Sequence, residues 1–79
     1  MNQNESRIAN AATVFDGPTF DAPDDRRDYG EVRTVTAGLL NGRMMIVVWT
    51  ERGDVRHIIS MRKANDREKA KYGHRLGKV

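Results

Sequence analysis

The segment His57-Ile58-Ile59-Ser60-Met61-Arg62-Lys63 runs directly into Ala64-Asn65-Asp66-Arg67-Glu68. It gathers an imidazole, a hydroxyl and three cations into a short stretch, with Arg56 just before it and Trp49 and Arg43 further upstream. Guanidinium groups match phosphate in two-point contacts. Indole offers a face on which an unpaired base can stack. Imidazole is the side chain whose charge changes near neutral pH, which suits it to proton transfer. The chemistry these types imply is recognition of a nucleic-acid backbone. Ordinary roles stay open beside it. Trp49 next to Val47 also suits a packed core, and a lone His57 suits a structural role. The basic run Arg67, Lys69, Lys71, Arg75 suits a solvated helix face. No His and Asp pattern supports Ser60 as a nucleophile. Neither His nor carboxylate spacing describes a metal site, and there is no Gly-rich phosphate loop, so no cofactor is implied.

Charge separates the chain into two halves. Residues 1–32 hold three arginines against seven acids, and residues 33–79 hold eleven Lys or Arg against four acids. The halves therefore carry −4 and +7, giving the net +3. A basic half suits a polyanionic partner, whereas an acidic half opposes uniform stickiness. DNA would also fit the charge, but a helix-turn-helix pattern is missing. At 79 residues the chain reads as one domain, with residues 1–10 a polar lead-in and residues 74–79 a flexible tail. There is no cysteine, no apolar run of membrane-spanning length and no signal-peptide pattern at Met1. The expectation is a cytoplasmic protein without a membrane partner.

The elements that must position these residues follow from periodicity. Ile8, Ala11, Ala12 and Phe15 recur at helical spacing, and Asp16-Gly17-Pro18 ends that helix. Thr19 to Glu31, with Pro23, Gly30 and a dense charge run, reads as a loop. Val32 to Leu40 and Arg43 to Thr50 read as strands joined by Asn41-Gly42, the strongest short hairpin signal. A turn over Glu51 to Asp54 leads to a third strand, Val55 to Met61. Asn65 with Glu68 three positions on forms a capping-box pattern for a last, basic helix that stops at Gly73. The expected fold is α+β: an N-terminal helix, a three-stranded antiparallel meander and a C-terminal helix.

Register then sorts the side chains. A two-residue Asn41-Gly42 loop pairs Leu40 with Arg43 and Val35 with Val48. One face carries Val35, Ala37, Leu39, Met44, Ile46 and Val48, and the first helix is expected to cover it. If Thr50 pairs with Val55, the opposite, open face collects Arg43, Trp49, Arg56, Ser60 and Arg62. Arg56 then lies across from Trp49 and Arg62 near Arg43, while His57, Ile59 and Met61 point to the core. A one-residue bulge at Gly53 would exchange Arg56 for His57.

Three strings resemble the BrnT toxins of type II toxin–antitoxin systems. They are Ala11-Ala12-Thr13-Val14-Phe15-Asp16, Val47 to Asp54, and Ile58 to Glu68 with Tyr72 after it. Together they cover about Ala11 to Gly73. The resemblance implies a RelE-like fold and a toxin that cleaves RNA and so inhibits translation. It also implies a BrnA-type antitoxin as partner, through which operator DNA is reached. The family commonly opens with a strand "F-x-W-D" and a basic helix ending "K-H-G", where this chain has Met1 to Asn10. It commonly has an Arg three residues before the serine, where this chain has His57. A first strand and helix are thus expected to be missing. An alternative function follows from that: a non-catalytic, shortened toxin that binds the antitoxin and regulates the operon. For a metal-free endoribonuclease, the implied roles are Arg62 and Lys63 on the phosphate with Arg56 in support. His57 carries the proton and Ser60 positions the phosphate, with Arg43, Trp49 and Arg67 binding RNA.

Overall fold

Asn41 and Gly42 both adopt positive φ, 53° and 78°, as a two-residue hairpin turn between right-twisted strands requires. In the computed structural model, which describes residues 3–24 and 30–76, this turn joins β2 (Thr34–Leu40) to β3 (Arg43–Arg52). The register is the expected one, from Leu40↔Arg43 through Leu39↔Met44 to Val35↔Val48. A helix α1 (Gln3–Asp16) and a strand β1 (Thr19–Pro23) precede them. Strand β4 (Val55–Lys63), helix α2 (Asp66–Tyr72) and a short 3-10 turn (His74–Leu76) follow. The four strands form one antiparallel sheet in the order β1-β2-β3-β4. Among the described residues, no helix is long and apolar enough to cross a membrane.

The sheet has four strands where three were expected. β1 lies within the stretch read as a loop, and it pairs antiparallel with β2 from Thr19↔Gly38 to Pro23↔Thr34. Its Pro23 hid it, yet a proline at the end of an edge strand costs little because no neighbour needs its N–H. Helix α1 begins at Gln3, inside the expected polar lead-in. Leu76, in the expected flexible tail, is buried. The charged run at residues 25–29 and the last three residues lie outside the described residues.

Both faces of the sheet are covered, which corrects the expected arrangement. Alternation places Val35, Ala37, Leu39, Met44, Ile46 and Val48 on one face, as expected. That face packs against Ala64, Tyr72 and Leu76, with Phe20 of β1 joining. Helix α1 instead covers the opposite face, where Ala11 and Val14 meet Val47, and Phe15, Trp49, Ile58 and Met61 pack around them. The buried stripe of α1 is therefore Ala11, Val14 and Phe15, and Ala12 is exposed. The side chain of Ile8 is outside the described residues. The open face expected around Trp49 is thus a second core.

Contact on the α1 side is close because β2 carries Gly38 there. A Cβ on Gly38 would lie 2.5 Å from Val14 Cγ1 and 3.4 Å from the Val14 carbonyl oxygen. Val14 is fully buried and branched at Cβ, so it cannot swing aside. Gly38→Ala should lower stability by about 1–3 kcal/mol through overpacking, and Val14→Ala in the same chain should relieve part of that loss. Urea unfolding of the single and double variants measures both effects. Equal midpoints for wild type and Gly38→Ala would show that α1 does not rest on this strand as described.

Candidate active groove and its basic flank

The path of β4 decides which functional side chains meet. Arg52↔Val55, Glu51↔Arg56, Thr50↔His57 and Trp49↔Ile58 pair in order, and then the register slips so that Val48 pairs with Ser60. Ile59 is the extra residue. A bulge of this kind keeps two consecutive stretches of one strand in the sheet while reversing the alternation between them. The turn is the two-residue Gly53-Asp54, with Gly53 at φ 61°, rather than the longer turn that would pair Thr50 with Val55. The bulge lies at Ile59, not at Gly53.

As a result Arg56 and Arg62 stand on opposite faces, which corrects the expectation that they share one. Arg56 lies on the α1 side across from Glu51. Its guanidinium carbon sits 3.6 Å from the Phe15 ring centroid and 4.7 Å from that of Trp49. Trp49 is half-buried and meets Phe15 edge to face at 5.9 Å. Its Nε1 donates to Thr36 Oγ1 at 2.7 Å, and Thr36 in turn donates to Asp21 Oδ1 at 2.6 Å. An indole with one face under Arg56, its edge at Phe15 and its N–H bonded to a buried hydroxyl is a packing element. The structure does not bring Trp49 and Arg56 to the other site residues.

Ser60 and Arg62 point to the α2 side, opposite Val48 and Ile46. They line a groove of about 330 Å³ with Ala22, Asp24, Glu68, Lys71 and Tyr72. His57 is exposed on the same face, across from Thr50, rather than turned into the core. Met61, expected on the core side with it, lies on the α1 face. Asp24 and Tyr72 are both 8% exposed, so the groove has a buried carboxylate at one wall and a buried phenol ring at another. Sequence reasoning did not single out Asp24, Glu68, Lys71 or Tyr72 as site residues. Asp24 belongs to the stretch read as a loop, and Lys71 belongs to the run read as solvated. Glu68 and Tyr72 were noted for capping and resemblance alone.

Arg62 is held in place. Its Nη1 donates to Glu68 Oε1 and its Nη2 to Glu68 Oε2, both at 2.7 Å, and Nη1 also reaches the Lys63 carbonyl at 3.3 Å. Glu68 is simultaneously the third residue of the capping box of α2. Its Oε1 accepts from the Asn65 N–H at 2.9 Å, and its own N–H donates to Asn65 Oδ1 at 2.8 Å. The Arg62 side chain is 53% exposed, so this pair contributes about 0–1 kcal/mol at most after screening. Its effect is orientation: one carboxylate fixes both the start of α2 and the guanidinium beside it. The hydrogen bond from Arg62 holds the Glu68 carboxyl below the usual carboxylate range, with burial opposing and the Asn65 backbone assisting.

The remaining expected site residues lie apart from the groove. Lys63 pairs with Met45 on the far side of the bulge and lines a separate hollow with Arg43 and Lys69. Arg43 is exposed at the hairpin and is not near Arg62, whose partner is Ile46. Arg67 is exposed on α2. Among the described residues, no three His, Cys, Asp or Glu side chains are grouped to hold a metal ion.

A protein-family model described as "Ribonuclease toxin, BrnT, of type II toxin-antitoxin system" matches residues 3–68. That range contains α1, all four strands and the capping box. No curated protein and no solved structure matches the chain.

The Glu68 arrangement sets a pH dependence. Because its pKa is depressed on folding, the carboxylate stabilises the fold fully above its unfolded pKa, and this stability is lost as pH falls through the folded value. Glu68→Gln should therefore unfold less steeply with acid than wild type below about pH 4.5, while being no more stable at neutral pH. Asn65→Ala, which removes the other half of the box, should cost about 1 kcal/mol at neutral pH. Thermal unfolding across an acid series checks both, and parallel pH profiles for wild type and Glu68→Gln would refute the coupling.

Proposed function

Because the chain belongs to the BrnT family of ribonuclease toxins of type II toxin–antitoxin systems, we propose that it is an endoribonuclease whose reaction takes place in the Ser60–Arg62 groove. The observation that carries this reading is the Arg62–Glu68–Asn65 arrangement, which presents a guanidinium in a fixed direction beside a hydroxyl in a concave site. A family of type II toxins implies an antitoxin partner, and here we assign a BrnA-type antitoxin that neutralises the toxin and contacts operator DNA. Cleavage of RNA would account for inhibited translation in a cytoplasmic setting, on a RelE-like scaffold.

In this reading the ribose 2′-hydroxyl attacks the adjacent phosphorus and the bond to the 5′-oxygen breaks. The products are a 2′,3′-cyclic phosphate and a 5′-hydroxyl end. His57 takes the proton from the 2′-oxygen, and solvent water gives a proton to the departing 5′-oxygen. Arg62 and Lys71 neutralise charge gathering on the non-bridging oxygens, which is where fixed cations lower a barrier most. Ser60 donates to one of those oxygens and sets the phosphate's orientation. Glu68 is a positioning residue: both of its oxygens already accept hydrogen bonds and its carboxyl is held ionised, so it is a poor proton acceptor. His57, exposed on the same face, is the proton carrier. Arg56 no longer belongs to this set, since Phe15 and Trp49 hold it on the other side of the sheet.

Arg62→Ala should abolish growth arrest on induced expression and reduce cleavage of total RNA by the purified, antitoxin-free protein by at least about 10²-fold. Arg56→Ala should lose stability and keep the same cleavage per folded molecule. Equal cleavage by wild type and Arg62→Ala removes Arg62 from the mechanism. If the wild type neither cleaves RNA nor arrests growth while still binding its antitoxin, the chain is a non-catalytic antitoxin-binding module.

A further inference from the structure

The hollow on the other flank of α2 differs from the groove in its charge. It is lined by Gly42, Arg43, Met44, Lys63, Ala64 and Lys69, with a volume of about 360 Å³. Its floor is apolar and fixed. Met44 and Ala64 are 8% and 6% exposed, and the Ala64 N–H donates to the Met44 carbonyl at 3.0 Å. Three basic residues from three different elements line the hollow: Arg43 from the hairpin, Lys63 from the end of β4 and Lys69 from α2. No carboxylate among the described residues lines it. Among the described residues, Arg43 and Lys63 have no acidic partner, and Lys69 has a loose one, Asp66 at 3.9 Å. The groove, by contrast, balances Arg62 and Lys71 with Asp24 and Glu68.

Three like charges around one concavity repel each other, and a bound anion relieves that repulsion. The hollow therefore has the electrostatics of a phosphate subsite, whereas the groove has the mixed charge that proton transfer needs. The two lie on either side of α2: Lys69 and Ala64 border one, and Glu68, Lys71 and Tyr72 border the other. We propose that the Arg43–Lys63–Lys69 hollow is a second, non-catalytic subsite that binds a backbone phosphate of the same single-stranded RNA whose cleavage takes place in the groove. This proposal rests on the ribonuclease reading above. Lys63 thereby moves from the reacting phosphate to a flanking one. Affinity comes largely from the hollow and orientation from the groove.

The test is titration of the full chain with a mixed-sequence 2′-O-methyl RNA, which lacks the attacking hydroxyl, over a range of salt concentrations. Each phosphate contact contributes about 0.7 to the slope of log affinity against log salt for a single strand. Arg43→Gln and Lys69→Gln should each flatten that slope by about this amount and weaken binding most at low salt. Arg52→Gln, whose exposed cation lies near Glu31 at 3.6 Å and away from the hollow, should leave the slope unchanged. All three positions are exposed, and circular dichroism confirms that each variant is folded. If Arg62→Gln flattens the slope while Arg43→Gln and Lys69→Gln do not, the subsite is refuted and the ribonuclease reading stands. Equal flattening by Arg52→Gln means a diffuse field rather than a site. Equally tight binding of duplex DNA, with the same dependence on Arg43 and Lys69, overturns the assignment to RNA. Absence of RNA binding by the wild type overturns the subsite and the ribonuclease reading together.

Discussion

One extra residue in β4, Ile59, determines how the cations of this chain are distributed. Because a strand alternates with period two, inserting one residue reverses every side chain beyond it. Before Ile59, Arg56 shares a face with Trp49 and Ile58; after it, Ser60 and Arg62 share the opposite face with Val48 and Ile46. Without the bulge, Ser60 and Arg62 would stand on the α1 side, where Val14, Phe15 and Trp49 already fill the space. With it, they emerge beside α2, where a capping carboxylate is available to orient Arg62. The groove exists because the strand changes sides halfway along.

The rest of the fold makes that change tolerable. A sheet buried on both faces has apolar positions at every step, and β3 supplies them: Met44, Ile46, Val47 and Val48 are all buried. Burial of side chains such as Ile46, Val47 and Val14 is worth about 1.5–3 kcal/mol each, which outweighs the ladder lost at one bulge and the weak surface pairs around it. β4, at the edge, then carries the candidate site residues His57, Ser60, Arg62 and Lys63 at exposed positions. The division of labour is between a central strand that holds the two cores and an edge strand that presents the chemistry.

How much of this could be read in the sequence follows from the same physics. The Asn41-Gly42 hairpin was legible because two positive φ values leave few alternatives, and the register of β2 against β3 follows from it. The α2 cap was legible from Asn65 and Glu68. The bulge was not, since Ile58-Ile59 offers two equivalent apolar residues and either can be the unpaired one. A regular register without it puts Arg56 with Arg62 and leaves Trp49 on an open face. β1 was hidden for another reason: a five-residue edge strand with Phe20 and Ala22 inward has too short a pattern to outweigh Pro23. With β1 unseen, Asp24 could not be placed on a wall of the groove that Ser60 and Arg62 line.

The charge asymmetry of the sequence acquires a local meaning from these positions. A net excess of cations after residue 32 could have been a diffuse field, which steers any polyanion and specifies none. The fold instead divides that excess. Arg56 is consumed by two aromatic rings, and Arg52 and Arg33 lie near Glu31 at 3.6 Å. Arg62 is directed by Glu68. Arg43, Lys63 and Lys69 line a hollow that, among the described residues, holds no carboxylate. A polyanionic strand approaching α2 would therefore meet a mixed-charge groove on one side and a predominantly positive hollow on the other. On the proposed ribonuclease reading, phosphates are favoured more strongly in the second than in the first, so the hollow would set where the strand lies and the oriented Arg62 which phosphate reacts.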